Sequence, residues 1–398
     1  MSRAIRVALL TNIPSPYRLP FFRLLAARCD LRVIFDCRTE PNRQWAVPDD
    51  LGFPHCYMGG FLVPVERKRA DGGPNDVRYL QFRLGVIPRL RHFKPDVVIS
   101  IEFGARSVQA AAYCAAAGVP LILWSEGTPH SEGWQGRFRQ RIRGMLVRRA
   151  RAFWSNGVEA SELLLRYGAN RDALWEGMIG VGTSQLAREV TELSPQRERI
   201  RAELGVVGTT FLFSGQLVAR KGIKELLAAL ERLAGRAYEF TLLLLGEGEL
   251  RPLIEAWSRA HPEFRVVLLG FLQPDKIARI YAAADVFVMP TLDDNWSLVA
   301  LEAAVAGLPQ VFSRYNGATT DLLAMHAVGR SVDPLDVDSF ARALRDFLGT
   351  PERVAREVTE RLVDYYSPEA CTERALRSIR AVLSENPQKA EGHTLTGM

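Results

Sequence analysis

Val288-Met-Pro-Thr-Leu-Asp-Asp-Asn-Trp-Ser-Leu-Val-Ala-Leu-Glu302 reads as a buried strand that stops at Pro290, a polar loop over Asp293–Ser297, and a helix carrying Leu298, Leu301, Ala304 and Val305. Asp294 lies on the loop, and Glu302 is just over a turn into the helix, so both carboxylates can reach one ligand. The amides near Ser297 and Leu298 start that helix without intrahelical partners and can receive a diphosphate. Helix capping accounts for one Asp, Asn or Ser at such a position. It accounts for neither the Trp in their midst nor the acid at Glu302.

Upstream, Phe211-Leu-Phe-Ser-Gly-Gln-Leu-Val-Ala-Arg-Lys-Gly222 repeats the arrangement of strand, glycine turn, basic pair and helix. Ile223, Leu226, Leu227, Leu230 and Leu233 share one helical face. Lys221 beside that helix start is opposed by the helix dipole, a conflict that a bound phosphate would remove. An ordinary surface loop with a solvated Arg–Lys pair explains the segment equally well by itself. Two such loops at one sheet edge favour a nucleoside-diphosphate site. Neither is a GxxxxGK[ST] loop, no GxGxxG follows the first strand, and Gly246-Glu-Gly248 is too short to be a dinucleotide fingerprint.

Working outward, the segments Phe240–Leu245, Val266–Leu269, Val286–Met289 and Gln310–Phe312 read as further buried strands with helices between them. The same rhythm runs through the first half: Arg6–Thr11, Leu31–Phe35, Val97–Ile101 and Leu121–Trp124 are strands, and Ser107–Ala117 is a helix ended by Gly118. Apolar strands alternating with helices indicate parallel sheets covered on both faces. With 398 residues and roughly 150 per domain, the expectation is an α/β chain of two Rossmann-like, doubly wound domains. Residues 1–190 form the first Rossmann-like domain and 205–365 the second, with a helix over 366–385 and a disordered tail over 386–398. The ligand is expected in the cleft between the domains.

Composition excludes several classes. Apolar residues at 47% and charged residues at 24% fit a globular protein, and a net charge of +6 favours anionic partners. Five cysteines without a CxxC pair argue against a disulfide framework and for a reducing, cytoplasmic setting. Six histidines without HxxxH spacing give no metal centre, and no metal is expected. No apolar run approaches the ~20 residues that span a bilayer.

The chain resembles the family 4 glycosyltransferases, which are retaining enzymes of the GT-B fold. The family pattern G-R-L-x-x-x-K-G is matched by Gly215-Gln-Leu-Val-Ala-Arg-Lys-Gly222. The rest is carried by Gly246-Glu-Gly248, by Tyr281-Ala-Ala-Ala-Asp-Val-Phe-Val-Met-Pro-Thr291, and by Asp294 through Pro309. The resemblance covers about residues 205–325 and implies a role for each matching residue. Lys221 and Asp294 are the catalytic pair: Lys221 neutralises the diphosphate, and Asp294 sits against the donor sugar. Glu302 binds the ribose, and the amides of Ser297 and Leu298 meet phosphate oxygens. Leu272, with Phe271, faces the base, and Gly215, Gln216 and Arg220 complete the donor loop. Gln216 stands where the family has Arg and Asp294 where it has Glu. The donor implied is a nucleoside-diphosphate sugar, UDP or GDP, with no cofactor and no metal. The acceptor implied is a glycan or a lipid-linked sugar, in bacterial polysaccharide or glycolipid synthesis. The C-terminal helix is implied to cross back to the N-terminal domain.

On the acceptor side, Tyr17 and Arg18 follow the first strand, and Glu126 and His130 follow Trp124; a rigid Pro-rich turn and solvated loop charges are the competing readings. The stretch 135–152 carries seven Arg and no acid around Phe138, Ile142, Met145, Leu146 and Val147. It reads as a basic amphipathic helix for an anionic membrane surface, on the inner face of the cell membrane. No aromatic platform for nucleic acid accompanies it. The alternatives are a GT-B nucleotide-sugar epimerase, and a degenerate homologue that binds nucleotide without turnover.

Overall fold

The structure, a computed structural model, describes residues 3–40, 47–67, 76–83, 85–133, 136–233, 239–273, 276–326 and 328–384. The tail 386–398 and Gln135 lie outside the described residues. The chain divides into two compact units, and the helix at its C-terminal end belongs to the first.

The strands of the first unit are β1 (Arg6–Thr11), β2 (Asp30–Phe35), β3 (His55–Tyr57), β4 (Gly60–Arg67), β5 (Asp76–Arg83), β6 (Val97–Ile101), β7 (Leu121–Ser125), β8 (Ala152–Ser155) and β9 (Leu174–Trp175). Seven of them form a sheet in the order β3-β2-β1-β6-β7-β8-β9, with parallel pairing throughout, while β4 and β5 pair separately. Alternate residues of β1 enter opposite cores. Val7 and Leu9 pack with Phe21, Phe22 and Trp124, whereas Ala8 and Leu10 pack with Leu90, Ala110 and Leu146. Burial on both faces is why this strand reads as an unbroken apolar run.

The helix Pro368–Leu383 joins the first of those cores through Cys371, Ala375, Leu376 and Ile379, a helical stripe. Ser367 caps it by accepting the Ala370 amide at 3.1 Å, and the buried Trp154 indole donates to Ser378 Oγ at 2.9 Å. Each fully buried large apolar side chain contributes about 1.5–3 kcal/mol, which holds a segment so distant in sequence against β1.

The second unit contains β10 (Thr209–Ser214), β11 (Phe240–Leu245), β12 (Arg265–Gly270), β13 (Val286–Met289), β14 (Gln310–Ser313) and β15 (Gly329–Val332). They form one parallel sheet in the order β12-β11-β10-β13-β14-β15. In both sheets the order reverses direction at one point, between β1 and β6 and between β10 and β13. Loops leaving the carboxyl ends of those strands are where such sheets bind ligands.

One boundary is corrected. Residues 183–190, assigned from sequence to the first domain, belong to the second unit, whose main segment is Thr183–Asp364. The helix Thr183–Leu193 packs on the helices Ala278–Ala283 and Leu298–Val305. Its polar surface positions masked that amphipathic pattern in the sequence.

Candidate functional site

The two quoted loops flank the switch point of the second sheet. After β10, Gly215 turns with φ 151°, a 3₁₀ turn follows over Ala219–Lys221, and Gly222 (φ 73°) opens the helix Ile223–Glu231. A Cβ on Gly222 would lie 1.8 Å from the Pro290 carbonyl oxygen, so only glycine lets the two loops meet. The Leu292 amide donates to the Arg220 carbonyl at 2.8 Å, and Arg220 Nη1 donates to the Asp293 carbonyl at 2.8 Å. Gly246 and Gly248 serve the same loop by close backbone approach: Cβ atoms there would lie 1.9 Å from Gly215 O and 2.4 Å from Leu217 O.

This packing brings Lys221 Nζ to 2.5 Å from Asp294 Oδ2, with the side chains only 12% and 16% exposed. Burial pushes the Lys221 ammonium down, and Asp294 works against that shift. Burial pushes the Asp294 carboxyl up, but Lys221 and Arg220 outweigh it and leave it below its ordinary value. The conflict between Lys221 and the helix dipole is therefore met in the protein itself by a carboxylate. A phosphate arriving here would share or take over that partner.

Glu302 is held separately. It accepts a 2.8 Å hydrogen bond from the Tyr281 hydroxyl, and the Ser214 hydroxyl at the end of β10 bonds the same phenol. Burial pushes the Glu302 carboxyl up to about 7, opposed by the Tyr281 bond. Burial, reinforced by Glu302, holds the Tyr281 phenol well above its usual range, so Tyr281 stays a donor.

The loop between them is anchored by groups that the sequence reading missed. The Trp296 indole donates to the buried Asp321 at 2.7 Å, which explains the Trp as a structural anchor. The Ser297 amide, expected to face phosphate, donates to Asn316 Oδ1 at 3.2 Å, which also accepts from Ala318 N. Leu298 opens the helix Leu298–Val305, and its amide has no intrahelical partner. Gln216 is half-buried in the turn. Leu272 lines a groove of about 850 Å³ with Leu269, Glu189, Lys276 and Arg279; Lys221, Asp294 and Glu302 are not among its lining residues. Among the described residues no group of three His, Cys, Asp or Glu is placed to hold a metal ion.

In the first unit, Arg18 and Glu126 come together as an ion pair, and the Arg18 guanidinium lies 5.2 Å from the Trp124 ring centroid. Tyr17 and His130 are half-buried beside them in sequence. Glu102, at the end of β6, was missed. A carboxylate straight after the apolar run VVISI is the signal that could have found it, because that position marks the strand's carboxyl end. The basic helix spans Arg137–Arg149 and not 135–152, since β8 begins at Ala152. Arg137, Arg139, Arg141, Arg148 and Arg149 are exposed on it, as are Phe138 (76%) and Met145 (39%). Among the described residues no helix is long and apolar enough to cross a membrane.

Residues 208–350 match the family described as Glycosyl transferases group 1, and residues 14–174 match the Glycosyl transferase 4-like domain, so the two matches cover most of the chain. The chain is 28% identical over 279 residues to the glycogen synthase of Mycobacterium tuberculosis, a match over 68% of this chain and 65% of that relative's length. A sulfoquinovosyl transferase of Arabidopsis thaliana is 26% identical over 294 residues, covering 69% of this chain and 55% of the relative. Among solved structures, Anabaena HepE in complex with UDP superposes with a TM-score of 0.69 at 15% identity, covering 95% of this chain and 100% of that one.

Proposed function

Because the chain belongs to the family 4 glycosyltransferases and carries their GT-B fold, we propose that it moves a sugar, with retention, from a nucleoside-diphosphate sugar to a glycan or lipid-linked acceptor. The observation that carries this reading is the Lys221–Asp294 pair, formed between the loops that follow β10 and β13 at the switch point of the second sheet, with the Tyr281–Glu302 bond held in the same unit. UDP is the first donor to test, since HepE is solved with UDP and with UDP-glucose, and GDP the second.

Each residue then has a role. Lys221 and Arg220 neutralise the diphosphate, which leaves the donor site without need of a metal. The open amide of Leu298 adds a neutral donor. Glu302, ionised, accepts hydrogen bonds from the ribose hydroxyls, and Tyr281 fixes its orientation. Gly215 and Gln216 shape the turn against the phosphates. Leu272 stands beside the base. In the reaction the bond from the sugar C1 to the diphosphate breaks. The acceptor oxygen bonds to C1 on the same face, and the acceptor proton leaves with the departing phosphate. Asp294 lies against the donor sugar, and the Lys221 charge offsets the negative charge that develops on the leaving group. A second reading, nucleotide binding without turnover, draws on Gln216 and Asp294, where the family has Arg and Glu. Incubating the protein with UDP-glucose and measuring free glucose and UDP separates the two: release supports the transferase, and binding without release supports the second reading.

The exposed Arg face and Phe138 support peripheral attachment to anionic lipid, with the protein in the cytoplasm at the inner face of the membrane. The five cysteines, none of them in a disulfide, fit a reducing compartment. Co-sedimentation with phosphatidylglycerol vesicles, lost in high salt or on Phe138→Ser with Arg141→Glu, is the expected result; equal binding to neutral vesicles would count against it.

A further inference from the structure

The switch point of the first sheet holds a network of charged side chains with one member left over. Asp36 pairs with Arg106, Glu126 with Arg18, and Glu132 with Arg143. Glu102 is the fourth carboxylate, and no guanidinium is its own. Its Oε1 accepts the Glu126 amide at 2.9 Å, and its Oε2 accepts no hydrogen bond from a described residue. Its backbone sits at φ 65°, outside the comfortable region for a residue with a side chain, and is held there by two bonds. The Glu102 amide donates to Trp124 O at 2.8 Å, and the Ser107 hydroxyl bonds the Glu102 carbonyl. Such a conformation persists only where the surroundings fix it. The side chain is half-buried, at the carboxyl end of β6 where the strand order reverses.

We propose that Glu102 is the acceptor-recognition group of this protein and that its open carboxylate oxygen takes a hydrogen bond from a hydroxyl of an uncharged sugar. The proposal rests on the transferase reading. Three guanidiniums here are already matched by three carboxylates, so an anionic group would find no cation to spare and would meet the unpaired acid. A sugar hydroxyl needs only an acceptor. Arg18 stacked on Trp124 supplies a rigid wall beside it. Burial, then Glu132, push the Glu102 carboxyl up to about 7, and Arg143, Arg106 and Arg18 oppose that shift. Glu126, whose amide Glu102 accepts, and Asp36, paired with Arg106, are further charges of the network. Ionised Glu102 is the stronger acceptor, so sugar binding strengthens as pH rises through about 7.

The test uses the full chain and saturation-transfer NMR titrations, with and without UDP. The probes are the methyl glycosides of glucose, galactose and mannose, against glucose 1-phosphate, glucuronate and glucosamine. We expect at least one methyl glycoside to bind better than every charged sugar, with affinity rising across pH 7. Glu102→Gln should lower that affinity about tenfold or more, as expected for a charge-assisted hydrogen bond, abolish the pH rise, and leave UDP affinity unchanged. Tighter binding of a charged sugar, no binding of any methyl glycoside, or unchanged binding by Glu102→Gln would overturn the proposal. Release of UDP from UDP-glucose by the same samples reads the transferase chemistry independently, so failure of the transferase reading shows as absence of release and not as loss of the glycoside signal.

Discussion

Replacing Lys221 by Ala separates its two roles, as the partner of Asp294 and as a ligand for phosphate. The ammonium lies 2.5 Å from Asp294 Oδ2, and both side chains are less than one fifth exposed. Breaking a fully buried pair costs about 3–5 kcal/mol and an exposed one about 0–1 kcal/mol. The partial exposure here puts Lys221→Ala at roughly 2–4 kcal/mol, most of it from the carboxylate left without its counter-charge. For a unit of this size that lowers the melting temperature by roughly 5–15 °C. Loss of a charge-assisted phosphate contact, about 1.5–3 kcal/mol, weakens UDP roughly 10- to 150-fold. In the double variant Lys221→Ala with Asp294→Asn the stranded charge is gone, so calorimetry should show at least half of the stability restored. Isothermal titration should show UDP affinity still reduced. If the double variant binds UDP as tightly as the wild type, Lys221 is only a structural partner of Asp294, and its assignment to the diphosphate is refuted.

With Glu302 in its proposed place at the ribose, UDP-glucose affinity should rise with pH through about 7, because the ionised carboxylate is the stronger acceptor. Removing the Tyr281 hydroxyl takes away a bond that favours the ionised form, so Tyr281→Phe should move that midpoint upward by roughly one to two pH units; an unmoved midpoint excludes Glu302 as its source. In the absence of nucleotide the sign is opposite. The raised Glu302 pKa contributes stability that is fully present below the unfolded value near 4.5 and is lost as pH rises through about 7. Gly222→Ala places a methyl against the Pro290 carbonyl at a left-handed φ, and should cost roughly 2–4 kcal/mol and weaken UDP through misplacement of Lys221; wild-type melting would show that the loops part easily. Trp296→Phe leaves the buried Asp321 carboxylate without its indole donor, and calorimetry should record a loss of about 1–3 kcal/mol.

Strands such as Arg6–Thr11, Val97–Ile101, Phe240–Leu245 and Val286–Met289 are legible because a strand buried on both faces must be apolar at every position. The helix Pro368–Leu383 is legible from its Ser cap and its apolar stripe. Short edge strands such as Leu174–Trp175 and Gly329–Val332 carry no such signal, since their residues are only partly covered. At the site, spacing places Lys221 and Asp294 on neighbouring loops, and the structure pairs them. Which groups occupy the helix-start amides is a matter of tertiary packing. Asn316 lies well beyond Ser297 in the chain and takes its amide, and Tyr281, read only as part of a strand-flanking pattern, holds Glu302. The place of Glu102 straight after β6 is legible in the sequence as a strand end, but not whether its carboxylate is solvated or held. Its unpaired state emerges only when the three neighbouring ion pairs are known.

Binding of a nucleoside diphosphate by the loops after β10 and β13 underlies every role proposed for them. It is tested most directly by calorimetric titration of the full chain with UDP, GDP and ADP, in parallel with the Lys221→Ala variant. Saturable binding of UDP or GDP at one site per chain is expected, weakened roughly 10- to 150-fold in the variant. Absence of binding for all three nucleotides, or binding that Lys221→Ala leaves untouched, would contradict it.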